Sequence, residues 1–156
     1  MAQAGGEVSR ILLKEILRTK GSHVYTIDPN ASLQDVVEEL VQHNIGALVV
    51  CHRDPEKGEQ VLGIITERDI LRRCAYSAAP LREVAVAEVM SRNLITAHPE
   101  ETVEQALHRM TIHRVRHLPV VLDGQLVGIV SIGDAVKAQL DQLLIENRFM
   151  KDYIQG

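Results

Sequence analysis

The sequence predicts an α/β (α+β) protein in which one β-α-β-β-α unit is used twice. Three observations carry that prediction. The stretch Gly63-Ile64-Ile65-Thr66-Glu67-Arg68-Asp69 returns as Gly128-Ile129-Val130-Ser131-Ile132-Gly133-Asp134, with a hydroxyl residue and then Asp three positions on in both copies. Each copy reads as a buried strand turning into the first turn of a helix, where unpaired backbone N–H groups can face an anion. Pro29 and Pro99 close two matching extended segments, with Thr26 and Thr96 at the same place in each. The offset is 70 between the prolines (99 − 29) and 65 between the aspartates (134 − 69). The difference of five falls in the polar stretch His52–Gln60, expected as a loop with Pro55 and Gly58, where an insertion costs little.

Taken in order, Met1–Gly6 is small and polar and is expected to fray. Val8–Arg18 carries Ile11, Leu12, Ile16 and Leu17 at helical spacing, with Gly21 as the stop. Val24–Ile27 is extended and ends at Asp28-Pro29. Ser32-Leu33-Gln34-Asp35 caps a helix whose apolar stripe is Leu33, Val36, Val37, Leu40 and Val41. Ala47–Cys51 and Val61–Ile65 are apolar strands, and a helix runs from about Glu67 to Cys74. Ala78–Arg82, with Pro80, is the linker.

The order then repeats. Leu94–Pro99 is extended, and Thr102–Gln105 is a second capping box. Val103, Ala106, Leu107 and Met110 form the stripe. Leu118–Leu122 is a strand, Asp123-Gly124 a two-residue hairpin turn, and Gln125–Val130 the returning strand. The last helix continues through Val136, Leu140, Leu143 and Leu144 toward Phe149 and Tyr153, farther than the repeat needs. It is a surface for a partner or second subunit, or it packs on its own repeat. Neither half is large enough to cover its strands alone, so the two sheets are expected to pack together.

The totals exclude several functions. Aromatic residues make up 3% of the 156, with no Trp, so the core is aliphatic and stacking platforms for single-stranded nucleic acid are lacking. A net charge of −4 also argues against a nucleic-acid partner. No apolar run approaches the ~20 residues of a membrane span, and the start does not resemble a signal peptide. Two cysteines, Cys51 and Cys74, fit neither a disulfide framework nor a zinc site, and the expected compartment is the reducing cytoplasm. Cys51 closes an aliphatic strand and is expected in the core. His113 and His117 are four apart, but strand-forming residues follow at once, and no metal site is expected. Phosphate-loop and nucleophile motifs are absent, so no enzyme is expected.

The duplicated pattern resembles a tandem pair of cystathionine-β-synthase (CBS) domains, a Bateman module, of the stand-alone bacterial regulatory type. The residues that carry the resemblance are Val24–Pro29, Gly63–Asp69, Val89–Thr96, His117–Val121 and Gly128–Asp134. It spans about residues 8–140, with repeats over 8–77 and 83–140 and a helical extension over 141–156. The resemblance implies two repeats related by pseudo-twofold symmetry, with clefts that hold AMP, ADP, ATP, NAD or S-adenosylmethionine. AMP is the first expectation. It also implies regulation through a homodimer, or through a separate protein effector acted on in trans.

Carried over residue by residue, the resemblance makes Asp69 and Asp134 the ribose partners, since one carboxylate can accept both hydrogen bonds of a 2′,3′-diol. Asp134 is expected before Asp69. Local pattern alone also fits helix caps, Thr66-x-x-Asp69 and Ser131-x-x-Asp134. Thr66 and Ser131 would lie beside a phosphate, and Thr26 and Thr96 beside the adenine, where ordinary strand Thr is the alternative. Arg114, Arg116 and His117 are the densest basic group of the second half, against Asn44, Gly46 and Ala47 in the first. Arg116, His117 and Arg68 are the phosphate candidates, with exposed surface charge as the alternative. Ile27, Ala47, Leu48, His98, Leu118, Pro119 and Ile132 complete the expected lining. A sensor of an adenine nucleotide is the favoured function; the alternative is an interaction module with a vestigial cleft.

Overall fold

Residues 10–155 are described by a computed structural model. Met1–Gly6 and the Val8 start expected for the first helix lie outside the described residues. The elements run α1 (Leu13–Lys20), β1 (Thr26–Ile27), α2 (Leu33–His43), β2 (Ala47–Asp54), β3 (Gly58–Thr66), α3 (Glu67–Tyr76), α4 (Val103–His113), β4 (His117–Leu122), β5 (Gln125–Ser131) and α5 (Ile132–Gln155). Two short 3₁₀ turns, Leu81–Glu83 and Val86–Glu88, stand where the linker and its continuation were expected. The chain divides into two compact units: His23–Leu94, and the residues up to Ser22 together with those from Ile95 onward.

In the first of these units β1 pairs parallel with β2, and β2 antiparallel with β3. The predicted cap of α2 forms reciprocally: Ser32 Oγ accepts from Asp35 N–H at 3.1 Å and Asp35 Oδ2 accepts from Ser32 N–H at 3.0 Å. Leu33, Val36 and Leu40 bury their side chains, and Val37 packs beside them. Val41 does not join the stripe and is 76% exposed, because it lies a third of a turn round from Leu40.

The polar stretch His52–Gln60 is not a loop. It extends the β2–β3 hairpin through the pairs His52↔Gln60, Arg53↔Glu59 and Asp54↔Gly58. Asp54 makes the turn by accepting from the N–H groups of Glu56 and Lys57, at 2.8 and 3.1 Å. Cys51 is buried there, and burial, reinforced by the Glu59 carboxylate, pushes its thiol up to about 11.

The other unit repeats the plan with a thinner sheet. β4 and β5 pair around Asp123-Gly124, whose φ values of 50° and 76° are those of the predicted turn. Both hairpins shift register at the same place, Val50/Cys51 and Val120/Val121. The expected strand Leu94–Pro99 shrinks to a single parallel bridge, Ala97↔Val120. A proline explains this. In the first unit Val49 N–H donates to Tyr25 O at 3.3 Å; the matching residue is Pro119, which has no N–H to give.

Each repeat is completed by a segment from outside it in the sequence. Val84 O accepts from Leu33 N–H at the start of α2, and Ile11 O accepts from Val103 N–H at the start of α4, both at 2.9 Å. Ala85 then bridges Ser32, as Leu12 bridges Thr102. This pairing holds Ile11 and Leu12 extended, so the first helix begins only at Leu13, and it runs on to Lys20 before Gly21 (φ 98°) stops it.

Candidate functional site

The two strand-to-helix junctions are built alike. At the end of β3, Thr66 faces Ala47, and Glu67 N–H donates to Gly46 O at 3.0 Å. At the end of β5, Ser131 faces His117, and Ile132 N–H donates to Arg116 O at 2.8 Å. Asp69 Oδ2 accepts from Thr66 N–H (2.9 Å) and Thr66 Oγ1 (3.1 Å), while Thr66 Oγ1 accepts from Asp69 N–H at 3.3 Å. Asp134 Oδ2 likewise accepts from Ser131 N–H at 2.9 Å, and Ser131 Oγ from Asp134 N–H at 3.1 Å. Both carboxylates therefore cap their helices, and the cap holds each in a fixed rotamer beside the helix N-terminus. The cap and ligand readings are compatible, since each Oδ1 lies outside these cap bonds.

The junctions differ in one cation that the sequence did not bring to notice. Lys20, the last residue of α1, donates from Nζ to Asp134 Oδ2 at 2.6 Å and to Ile129 O at 2.9 Å. The residue matching Ile129 is Ile64, which pairs instead with the Ser91 backbone in both directions, at 3.0 and 2.9 Å. The chain thus satisfies the same strand position with a lysine in one unit and a backbone bridge in the other. Among the described residues, the cation nearest Asp69 is the exposed Arg72, at 4.0 Å.

Burial acts to raise the Asp134 carboxyl, but the hydrogen bonds from Lys20 and Ser131 outweigh it and hold it below its usual range. A depressed folded-state value contributes stability that is present above the unfolded-state value, near 3.9, and disappears as pH falls through the folded one. Lys20→Met, which keeps the packing stem, is expected to cost about 1 kcal/mol or less at pH 7. Its deficit against the wild type, read from urea unfolding at stepped pH, should shrink below about pH 4. A deficit constant from pH 7 to pH 3 would show that the ion pair contributes nothing.

The remaining expected residues separate by burial. Leu48 and Leu118 are 0% exposed and belong to the cores of their units, and Ala47 and Pro119 are also buried, so these offer backbone rather than side chain. Thr26, Thr96, Arg68, Arg114, Arg116 and Ile132 are exposed; Ile27 and His117 are half-buried. In the His23–Leu94 unit Thr26 and Ile27 pair with Val49 and Val50, one strand over from the Thr66–Asp69 junction. His98 is already engaged in the fold, since its Nδ1 accepts from Glu100 N–H at 3.1 Å in the turn before α4. Arg109, not singled out in the sequence, pins that turn by donating to Thr96 O (2.8 Å) and Glu101 Oε1 (3.0 Å). His113 ends α4 and His117 begins β4, and among the described residues no group of three or more His, Cys, Asp or Glu could hold a metal.

Residues 13–76 and 86–141 each match the CBS domain family, and the chain belongs to that family as a tandem pair. It is 35% identical over 162 residues to the CBS domain-containing protein CBSX3, mitochondrial, of Arabidopsis thaliana, covering all of this chain and 77% of that one. The crystal structure of the CBS domain protein NE2398 superposes with a TM-score of 0.76 at 36% identity, over 83% of this chain and 97% of that one. The CBS domain pair of protein MJ0100, in complex with 5′-methylthioadenosine and S-adenosyl-L-methionine, superposes at 0.71 with 30% identity, over 85% and 98%. A CBS pair is a regulatory module, and a relative of this chain binds adenosine-containing ligands. Among the described residues, no helix is long and apolar enough to cross a membrane.

Proposed function

We propose that this protein is a cytoplasmic sensor that binds an adenosine-containing nucleotide, AMP before ADP, ATP, NAD or S-adenosylmethionine, and signals through a homodimer or a partner protein. The observation that carries the reading is the pair of junctions, in which a capped and oriented carboxylate stands beside a helix N-terminus. The ribose diol would donate to the carboxylate, and the phosphate would meet the N-terminal N–H groups and Thr66 or Ser131. Arg68 in one unit, and Arg116 with His117 in the other, would supply the phosphate's counter-charge. The ligand of the MJ0100 pair supports the adenosine part of this reading.

Lys20 favours an order between the two sites. It pairs with Asp134 through Oδ2, the oxygen that also caps the helix, and so draws charge from the carboxylate, whereas the cation nearest Asp69 stands at 4.0 Å. The Asp69 carboxylate is therefore the stronger acceptor for a diol, and its junction is the first site to fill. The test is thermal unfolding with each nucleotide at millimolar concentration. Ligand at ~100 times its dissociation constant adds ~2.7 kcal/mol of stability. If none of the five moves the transition, the chain is an interaction module and the sensor reading is wrong.

A further inference from the structure

The geometry points to α5 as a parallel two-stranded coiled coil with a second copy of this chain, an inference that rests on the homodimer reading above and gives it a surface. α5 runs 24 residues, and its first half faces its own unit through Ala135, Ala138 and Gln142. Ile145 continues that line over the groove it shares with Ile11, just before α1, and Ile16 of α1.

A second apolar stripe lies about 120° round the helix, at 100° per residue. It reads Val136, Leu140, Leu143, Asn147, Met150 and Ile154, with alternating spacings of four and three. Its apolar members are 50% exposed or more, and Asn147 is exposed as well. The first repeat's helix α3 ends at Tyr76 after ten residues, so the repeat itself does not require this surface.

The spacing assigns Val136, Leu143 and Met150 to d positions and Leu140, Asn147 and Ile154 to a positions. Two details select the occupant. A lone Asn among apolar a residues costs stability in a coiled coil and fixes a dimer in register, with Asn147 opposite its own copy. In that same parallel register Glu146 is at g and Lys151 at the following e, which places opposite charges across the seam on both sides. Within one helix these two are five apart and do not face each other, so they do not pair within a single chain; there Glu146 Oε1 accepts from Gln142 at 3.2 Å.

The experiment is sedimentation equilibrium of the full chain. Wild type is expected to be a dimer, and Leu140→Glu with Leu143→Glu to weaken it by about 100-fold or more, far-UV circular dichroism confirming the fold. Glu146→Lys should weaken the dimer about tenfold by setting lysine against lysine, and adding Lys151→Glu should restore it. In a Cys74→Ser background, Ile154→Cys should cross-link to itself on mild oxidation, since parallel helices bring the two C-termini together. A monomeric wild type would sink both the seam and the homodimer reading. A wild-type dimer that survives the double Glu variant would overturn the seam and leave the homodimer standing. Failure of the charge reversal to rescue, or of Ile154→Cys to cross-link, would overturn the parallel register.

Discussion

Asp69→Ala should abolish most of the thermal stabilisation given by a saturating adenosine ligand, while Asp134→Ala leaves most of it in place. Each substitution also removes a cap, worth about 1 kcal/mol, so both variants start from a lower melting temperature without ligand. The informative quantity is therefore the ligand-induced shift and not the melting temperature itself. Loss of hydrogen bonds from a diol to a charged acceptor costs about 1.5–3 kcal/mol, or roughly 10- to 100-fold in affinity. That loss falls on Asp69, because the Asp134 carboxylate is already paired with Lys20 at 2.6 Å. Titration calorimetry of Lys20→Met adds a second readout. Freed of its lysine, the Asp134 junction should bind as well, and the stoichiometry should rise from about one toward two per chain. Should Asp134→Ala lose the shift while Asp69→Ala keeps it, the order of the sites is reversed. Weaker binding in Lys20→Met would mean that the lysine holds the ligand and does not shield its site.

Gly63→Ala should destabilise the protein far more than Gly128→Ala, although the two glycines are repeat equivalents. A Cβ at Gly63 would press into the Ser91 carbonyl oxygen, well inside van der Waals contact, and would lie 3.3 Å from Met90 Sδ. The carbonyl belongs to the Ile64–Ser91 bridge, so relief requires the backbone to move and its two hydrogen bonds to stretch. Two bonds at about 1 kcal/mol each, together with overpacking, give a loss of about 3 kcal/mol. At Gly128 the Cβ would meet the two Leu17 methyl groups at 2.6 and 2.7 Å, the far ends of a side chain that can turn away. About 1 kcal/mol is expected there. For a chain of this size the corresponding falls in melting temperature are roughly 6–12 °C and 2–4 °C. Equal losses at the two positions would refute the assignment of the Ser91 bridge as the rigid obstacle.

Much of the fold was legible because the local rules agree with the tertiary result. Ser32–Asp35 and Thr102–Gln105 are capping boxes by residue type alone, and both form. Asp123-Gly124 turns as that dipeptide requires. The misreadings share a cause. His52–Gln60 is polar, but polarity does not prevent a two-stranded extension whose side chains face solvent. Ile11 and Leu12 carry a helical pattern, yet backbone pairing with the segment before α4 keeps them extended.

The candidate site divides in the same way. Thr66-x-x-Asp69 and Ser131-x-x-Asp134 were readable because spacing of three is fixed by the helix turn, so their cap geometry follows from the residues. Lys20 was not readable: its partners are 109 and 114 residues away, and nothing in Arg18-Thr19-Lys20 distinguishes it from any basic helix end.

The sequence by itself determined the duplication, the strand-to-helix junctions, the caps and the long final helix, since each rests on residues near one another in the chain. Only the tertiary structure decided that the segment before each repeat completes the other's fold and that Pro119 thins one sheet. It also decided that a lysine from α1 makes two like carboxylates unequal. Those outcomes depend on which distant atoms meet, and a hydrogen bond across a hundred residues leaves no local pattern to read.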